Sequence, residues 1–579
     1  QGGKHKTALQ AVCPDYRANF DIVKILLKHG AQPDINLATS ILQRASYYRD
    51  EEVVCTVLKR GANPNAARGG SDGTALQYAV NANNVSITKL LLEHGADPNI
   101  QGDRHGTPLA AVADMGNLER LKELLQHGAN PNIPGGPHGG ALHAAAFSCD
   151  VQILGFLLNN GADINIQSGK YGTALQAACC HKKNLDISKI LIQHGANIHI
   201  KGGYHGTMLQ AASYGGQLEI VNILLKMGAD PNDTGGFHMT ALQAACDTWH
   251  FEIADVLLAN GADTNIAGGE AGTALQAAAV HGATEMVKIL LEHGAEIDIQ
   301  GGKYGSALAA AAYTGREDIM EILFENGADV NIQGNYYGTA LQAACREGRQ
   351  AIVEMLFEKG ADVNSQGLMV CVDGNTALQA ACSGGHQATV KVLLEKGADV
   401  NSQGGFYCTA LQAACAQGQQ AIVDVLLEEG ADVNIQGGYY GTALQAACSA
   451  RDQDMVEVLL EKGADVNIQG GVYGTALQAA CAQGQQAIVD VLLEEGADAN
   501  IQGGYYGTAL QAACIKRRQA IVKTLLKQGV DPNIQGGRYK TAYRAAYHYG
   551  SVSIMQMLKE YGAETDLDSV SVFKSTNNM

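Results

Sequence analysis

The residues of this 579-residue chain best suited to chemistry are its fourteen cysteines and seventeen histidines, and their spacing decides what they can do. Nine cysteines, Cys13, Cys179, Cys246, Cys345, Cys382, Cys415, Cys448, Cys481 and Cys514, occupy one position of a recurring phrase, Ala-Leu-Gln-Ala-Ala-Cys and its variants. Thiols one repeat apart on stacked helical layers are expected about 10 Å apart, beyond the ~7 Å Cα limit of a disulfide. They read as core thiols, which fit a reducing, cytoplasmic compartment. Cys371 and Cys408 fall in hairpin segments and are expected to be better exposed. His5, His105, His138, His205 and His238 each stand two residues before the Thr that opens the phrase, or its equivalent. A metal needs ligands that converge at about 2 Å, whereas a repeat-spaced ladder is expected to have rungs near 10 Å. His29, His94, His127, His194 and His293 instead precede a glycine that closes a helical stretch, where a polar or cationic ring suits the carbonyl end.

Other chemistries fail on the same ground. Gly-rich stretches such as Gly437–Gly441 lack a preceding buried strand and a Gly-Lys-Ser/Thr ending, so they read as turns rather than phosphate loops. Neither a Ser-His-Asp order nor a paired-carboxylate pocket is discernible, because each acidic residue has copies one repeat away on an open surface. The expectation is a non-enzyme without cofactor or metal.

The elements that position these residues follow from the repeat. Its Thr-equivalent position falls at Thr7, Ser40, Thr74, Thr107, Gly140, Thr173, Thr207, Thr240, Thr273, Ser306, Thr339, Thr376, Thr409, Thr442, Thr475, Thr508 and Thr541, which makes seventeen copies. Thirteen intervals are 33 residues, two are 34 and one is 37. In the copy opening at Thr409, the Thr hydroxyl suits a helix N-cap, and Ala410–Ala416 are good helix formers that end at Gly418. Ile422, Val423, Leu426 and Leu427 place an apolar stripe along a second helix, closed by Gly430. Residues 431–441 then read as an extended arm, a Gly-Gly turn and a returning arm. Such a unit cannot bury its own Ala/Cys face and aliphatic stripe, so neighbours must stack.

The 33-residue period, the Thr-x-Leu start, the Leu-Leu before the closing glycine and the Gly-Ala-Asp-Val-Asn exit resemble the ankyrin repeat over residues 1–564. The resemblance implies an all-α repeat solenoid of about seventeen ankyrin repeats, each a helix-turn-helix with a hairpin loop, stacked into a curved superhelix. Seventeen layers 8–10 Å apart would run roughly 150 Å. The family usually has Thr-Pro-Leu-His; here Pro survives at Pro108, and the His position is Gln in thirteen copies, His at His143, Ala at Ala110 and Ala309, and Arg at Arg544. Gln can make similar bonds between repeats. The wording is also similar to the long arrays of fungal ankyrin proteins, including receptor-like proteins with an NTPase domain ahead of the repeats. Residues 409–441 and 475–507 differ only at Val433 and Ala499, which points to recent duplication. Pro14, the degenerate copy at 40–73 and the hairpin at 367–375, four residues longer than its equivalents, mark expected weak points, the last a sub-block break. The final copy carries Tyr543 for the core Leu and leads into a polar tail at 565–579, as a cap does.

The remaining expectation concerns surface. With 40 basic and 58 acidic side chains the net charge is −18, which argues against nucleic acid or an anionic membrane as the main partner. No apolar run is long enough to span a bilayer. A 46% hydrophobic content suits a folded protein, and nothing suggests an isolated array other than monomeric. Besides the five histidines, the position two before Thr is Tyr171, Tyr304, Tyr337, Tyr407, Tyr440, Tyr473, Tyr506 and Tyr539, a ladder mostly His early and Tyr late. It admits two readings: each ring packs on the next hairpin, or it contacts a partner directly. The two residues after the Cys position vary most, among them Arg346, Glu347, Gln417, Gln483 and Lys516, as a tuned or a drifting surface would. Lys516, Arg517, Arg518, Lys523, Lys527, Arg538, Lys540 and Arg544 form the basic concentration. The apolar run Leu368, Met369, Val370, Cys371 and Val372 either meets a partner or lies over a neighbouring hairpin. By the resemblance, the chain is a protein-binding scaffold that uses hairpin tips and a concave first-helix face. The alternative is the sensor end of a larger signalling NTPase whose catalytic domain precedes Gln1.

Overall fold

The computed structural model describes residues 7–9, 20–67, 73–102, 106–136, 138–334, 336–367 and 376–565. The chain divides into two compact units, residues 1–270 with 292–295 and residues 271–291 with 296–579. Among the described residues there are 33 α-helices and one short 3-10 turn, with isolated antiparallel bridges in place of strands. The fold is an all-helical repeat solenoid.

The repeat opening at Thr409 shows how the sequence dictates this. The Thr409 hydroxyl accepts the amide of Gln412 at 3.1 Å, and the Thr409 amide donates back to Gln412 Oε1 at 3.3 Å. This reciprocal cap starts the first helix, Ala410–Ala416, which runs to Gly418 in the left-handed region at φ +69°. The second helix, Gln420–Glu428, buries Ile422, Val423 and Leu426, while Leu427 is only half-buried. Gly430, at φ +84°, closes it. First helices pack directly on first helices of adjacent repeats, as Ala410–Ala416 does on Ala443–Ala450. Small side chains such as Ala413, Ala414 and Cys415 are fully buried on these helices, and burying each Leu411-type side chain contributes about 1.5–3 kcal/mol.

Polar side chains stitch the layers. Gln412 Nε2 donates to the carbonyls of Ile435 at 2.9 Å and Gly441 at 3.1 Å in the hairpin that follows its own repeat. Gln445 and Gln478 repeat the pattern, and His143 reaches the equivalent carbonyl, with Nε2 2.8 Å from the Gly172 oxygen. On the outer arm, Asn434 donates to the Gly463 carbonyl at 3.0 Å and accepts the Asp465 amide at 2.8 Å. The histidines before the closing glycines fold back: His94 and His127 Nδ1 lie 2.9 Å from the carbonyls of Leu90 and Glu123.

Two local departures have physical causes. Ser40 is not a cap: the helix begins earlier and runs Ile35–Tyr48, because that copy has Ile35 and Asn36 where others carry the two glycines of the turn. Asp34 caps it, accepting the Leu37 amide at 2.8 Å, and Ser40 is buried mid-helix. The extra residue between Thr173 and Thr207 is absorbed by the 3-10 turn Lys182–Asn184, pinned by buried Asn184, whose Nδ2 donates to the Ala146 carbonyl at 2.9 Å. Pro14 and residues 368–375 lie outside the described residues, as does the tail beyond Thr565.

Candidate protein-interaction surface

Each regular hairpin is a single tight bridge, with the Gly437 amide donating to the Gly441 carbonyl at 2.8 Å and the Gly441 amide returning at 3.2 Å. The second glycine of the turn is required by its neighbour. Gly471 has φ +59°, and a Cβ there would stand 2.2 Å from the Tyr440 carbonyl carbon; at Gly504 it would stand 2.4 Å from that of Tyr473. This close approach lets each tip bond to the one before it. The Tyr439 amide donates to the Phe406 carbonyl at 2.8 Å, Val472 to Tyr439 at 2.9 Å and Tyr505 to Val472 at 2.8 Å. In the other unit, Tyr204 donates to Lys170 and Phe237 to Tyr204, both at 2.8 Å.

Two rows of rings result. The inner row is the Tyr/His ladder: Tyr407 is buried, and Tyr304, Tyr337, Tyr440, Tyr473, Tyr506 and Tyr539 are half-buried. Its rings stack on those of the next hairpin, at 5.5 Å for Tyr304–Tyr337, 6.3 Å for Tyr407–Tyr440 and 6.1 Å for Tyr473–Tyr506. The rungs are thus about 6 Å apart rather than one helical layer, because hairpins pack more closely than the helices behind them. The outer row lies one residue earlier and is exposed: Phe237 41%, Tyr336 37%, Phe406 38%, Tyr439 44% and Tyr505 51%. Phe406 stacks on Tyr439 at 4.8 Å, and each outer ring stands edge-on to its inner neighbour, as Tyr439 does to Tyr440 at 5.1 Å. Sequence reasoning missed this row. The available signal was the second aromatic of Phe406-Tyr407, Tyr439-Tyr440 and Tyr505-Tyr506.

The variable ends of the first helices meet the inner row within each repeat. Gln417, exposed, donates to the Tyr407 hydroxyl at 2.9 Å, and Gln483 donates to that of Tyr473 at 3.1 Å while accepting from Arg451. Lys516 Nζ lies 5.9 Å from the Tyr506 ring centre, and Tyr539 and Tyr549 share a hydroxyl contact at 3.1 Å. Around Tyr337 stand Tyr313, at 4.5 Å between rings, and half-buried Arg346 and Glu347. Burial, helped by the bond with Tyr337 and the Glu347 charge, pushes the Tyr313 hydroxyl up to about 12. The ladder tyrosines and the first-helix residues therefore form one surface. Leu368 and Met369 lie outside the described residues.

The reactive residue types are otherwise occupied. Cys179, Cys246, Cys345, Cys382, Cys415, Cys448, Cys481 and Cys514 are free and buried, and desolvation raises every one of these thiols. Cys408 is buried rather than exposed, because its side chain packs against Gly437 of the next turn. The exposed cysteine of the described residues is Cys149, in the left-handed turn after Ala141–Phe147. Cys13, Cys371, His5 and His105 fall outside the described residues. His205 and His238 are buried and stack at 6.0 Å, closer than a helical layer, with Tyr214 tilted against both. Among the described residues no three His, Cys, Asp or Glu side chains converge on a metal position, and no helix is long and apolar enough to cross a membrane.

Glycine-stitched hairpins over paired helices, with an open aromatic surface, define a helical-repeat array. The chain belongs to the ankyrin repeat family: the model for three ankyrin repeats matches residues 65–135, 142–235, 208–301, 298–367, 366–437, 414–503 and 470–536, and the single-repeat model matches 4–40. Arrays of this family generally mediate protein–protein interaction and are typically non-catalytic. The chain is 34% identical over 87 residues to an ankyrin repeat protein of Fowlpox virus, a match covering 15% of this chain and 20% of that protein. It is 35% identical over 97 residues to the transient receptor potential channel pyrexia of Drosophila melanogaster, covering 16% of this chain and 10% of that one. These matches span no more than a fifth of either relative.

Proposed function

We propose that the chain is a non-catalytic protein-binding array whose contacts are made by the hairpin tips and the adjoining ends of the first helices. The observation that carries this reading is the exposed outer row. Large rings that keep more than a third of their surface in solvent, on tips fixed by inter-hairpin backbone bonds, offer apolar area with little ordering cost on binding. The inner tyrosines hold that row in place, and Arg346, Glu347, Gln417, Gln483 and Lys516 vary the chemistry beside it from repeat to repeat. Affinity then accumulates over several repeats. The free core thiols suit a reducing compartment.

The test is site-specific photocrosslinking in native extract, with a benzophenone amino acid at Tyr439 or Tyr505 and, as the control, at exposed Glu457 on the second helix Gln453–Glu461. The same partner band from both tip positions and none from Glu457 supports the reading. Crosslinks from Glu457 alone would move the contact surface to the second helices.

A further inference from the structure

The C-terminal end of the tip surface differs in charge from the rest. Residues 505–549 hold eight Lys/Arg and one acidic residue, Asp531, a balance of +7 in a chain whose total is −18. Four of these cations, Lys516, Arg517, Arg538 and Lys540, are exposed on the hairpin and first-helix end, and no carboxylate lies within ion-pair distance of them among the described residues. In the preceding repeat the equivalent positions are Gln483, Gly484, Tyr505 and Gly507. Arg517 and Lys540 hold φ of +56° and +65°, a conformation that suits glycine and costs a residue with a side chain. Charge stands here in spite of local backbone preference.

The cations are also laid over rings. Arg538 Nη1 donates to the Tyr505 hydroxyl at 3.4 Å, and its Cζ stands 5.8 Å from the centre of Tyr539. Lys516 lies over Tyr506, Tyr506 is edge-on to Tyr505 at 5.2 Å, and Arg517 donates to the Tyr549 carbonyl. The result is one contiguous surface of cations and aromatic faces.

We infer that this surface docks a short acidic segment of a partner protein, with carboxylates on Lys516, Arg538 and Lys540 and an apolar or aromatic side chain against Tyr505. The inference rests on the protein-binding reading and names the partner chemistry at one end of the same surface. Charge complementarity selects the occupant. An extended peptide rises ~3.3 Å per residue, so about six residues cover a patch two repeats wide. A nucleic acid longer than the patch would run onto a remainder whose net charge is strongly negative and be repelled.

The experiment uses the full 579-residue chain and fluorescence anisotropy with three labelled probes: a hexapeptide of alternating Glu and Tyr, its Lys counterpart, and a twelve-nucleotide oligo-uridine. The glutamate peptide is expected to bind, to weaken about tenfold in K516E/R538E, and to weaken with salt as the screening length shortens. R538Q, which removes the charge but keeps a polar side chain, should give an intermediate loss, and thermal unfolding of both variants should match the parent because the substituted side chains are exposed. Equal peptide affinity in parent and double variant would overturn the inference, as would tighter binding of the oligonucleotide. So would a concentration-dependent dimer, seen in sedimentation, that K516E/R538E dissolves, since the patch would then serve a second copy. Crosslinking from Tyr439 separates the two levels: if it captures a partner while the peptide fails, only the acidic-segment assignment falls.

Discussion

The inner row carries mostly imidazoles in the unit of residues 1–270, with Tyr171 among them, and phenols in the unit of residues 296–579, with nearly the same geometry. His205 and His238 stack at 6.0 Å and 9°; Tyr473 and Tyr506 stack at 6.1 Å and 15°. The difference lies in what burial does to each ring. Desolvation, reinforced by the charges of His238, Lys170 and His181, lowers His205 to about 4. His238 is also lowered by burial, although Asp247 opposes it. Burial moves the hydroxyls of Tyr440 and Tyr506 the other way, above their ordinary value and away from neutrality. The His205–His238 stack is held neutral until acid charges it, whereas burial keeps the Tyr440 and Tyr506 hydroxyls neutral. Similar packing therefore leaves the two units with different responses to acid.

The largest expected effect is one the two units share. Gly471→Ala and Gly236→Ala both force a Cβ into the preceding tip's backbone at a positive φ, and each should cost about 3–4 kcal/mol in urea unfolding. A tolerated substitution in one unit would show that its tips are not stitched as described. Acid should separate the units next. A histidine held neutral in the fold takes its proton more readily when unfolded, so the stability it lends is complete above 6.5 and is lost as pH falls toward about 4. Hydrogen exchange across that window should show residues 171–250 losing protection while 407–510 keep theirs. His205→Phe should remove up to about 3 kcal/mol of that pH dependence. If both units respond alike, the ring type is not what distinguishes them.

Smaller effects sharpen the shared framework. Gln445→Ala removes two bonds to the next hairpin and should cost about 1–2 kcal/mol, whereas changing His143 to Gln should preserve stability because either side chain reaches the same carbonyl. Asp298 stands where other repeats place the bridging Asn; it accepts the Asp329 amide at 3.3 Å but has no NH2 to donate, and burial raises its carboxyl. Asp298→Asn should stabilise by about 0.5–1 kcal/mol at neutral pH. Because a raised carboxyl loses stability as pH rises through its folded value, that gain should shrink in acid.

Much of this architecture was legible in the sequence because it is local. Thr409 beside Gln412, the Ala/Cys face and the closing Gly430 each specify their conformation within a few residues, and the period supplies the stacking. What the sequence did not reveal depends on the approach of one hairpin to the next. Phe406 and Tyr407 are chemically similar neighbours, and only the path of the Gly-Gly turn decides that Tyr407 packs inward while Phe406 faces solvent. The 6 Å rungs and the burial of Cys408 behind Gly437 have the same origin. Each is set by what the hairpin leaves room for.

We propose that the outer row makes contacts and the inner row holds it in place. Two triple variants test it most directly, Phe406/Tyr439/Tyr505→Ser and Tyr440/Tyr473/Tyr506→Ala, each measured for urea-unfolding stability and for partner recovery by a crosslinker at Gln417. The outer triple is expected to unfold within about 1 kcal/mol of the parent and to lose the partner, while the inner triple loses several kcal/mol. An outer triple that retains the partner, or an inner triple that keeps parental stability and loses the partner, would overturn this division of roles between the two rows.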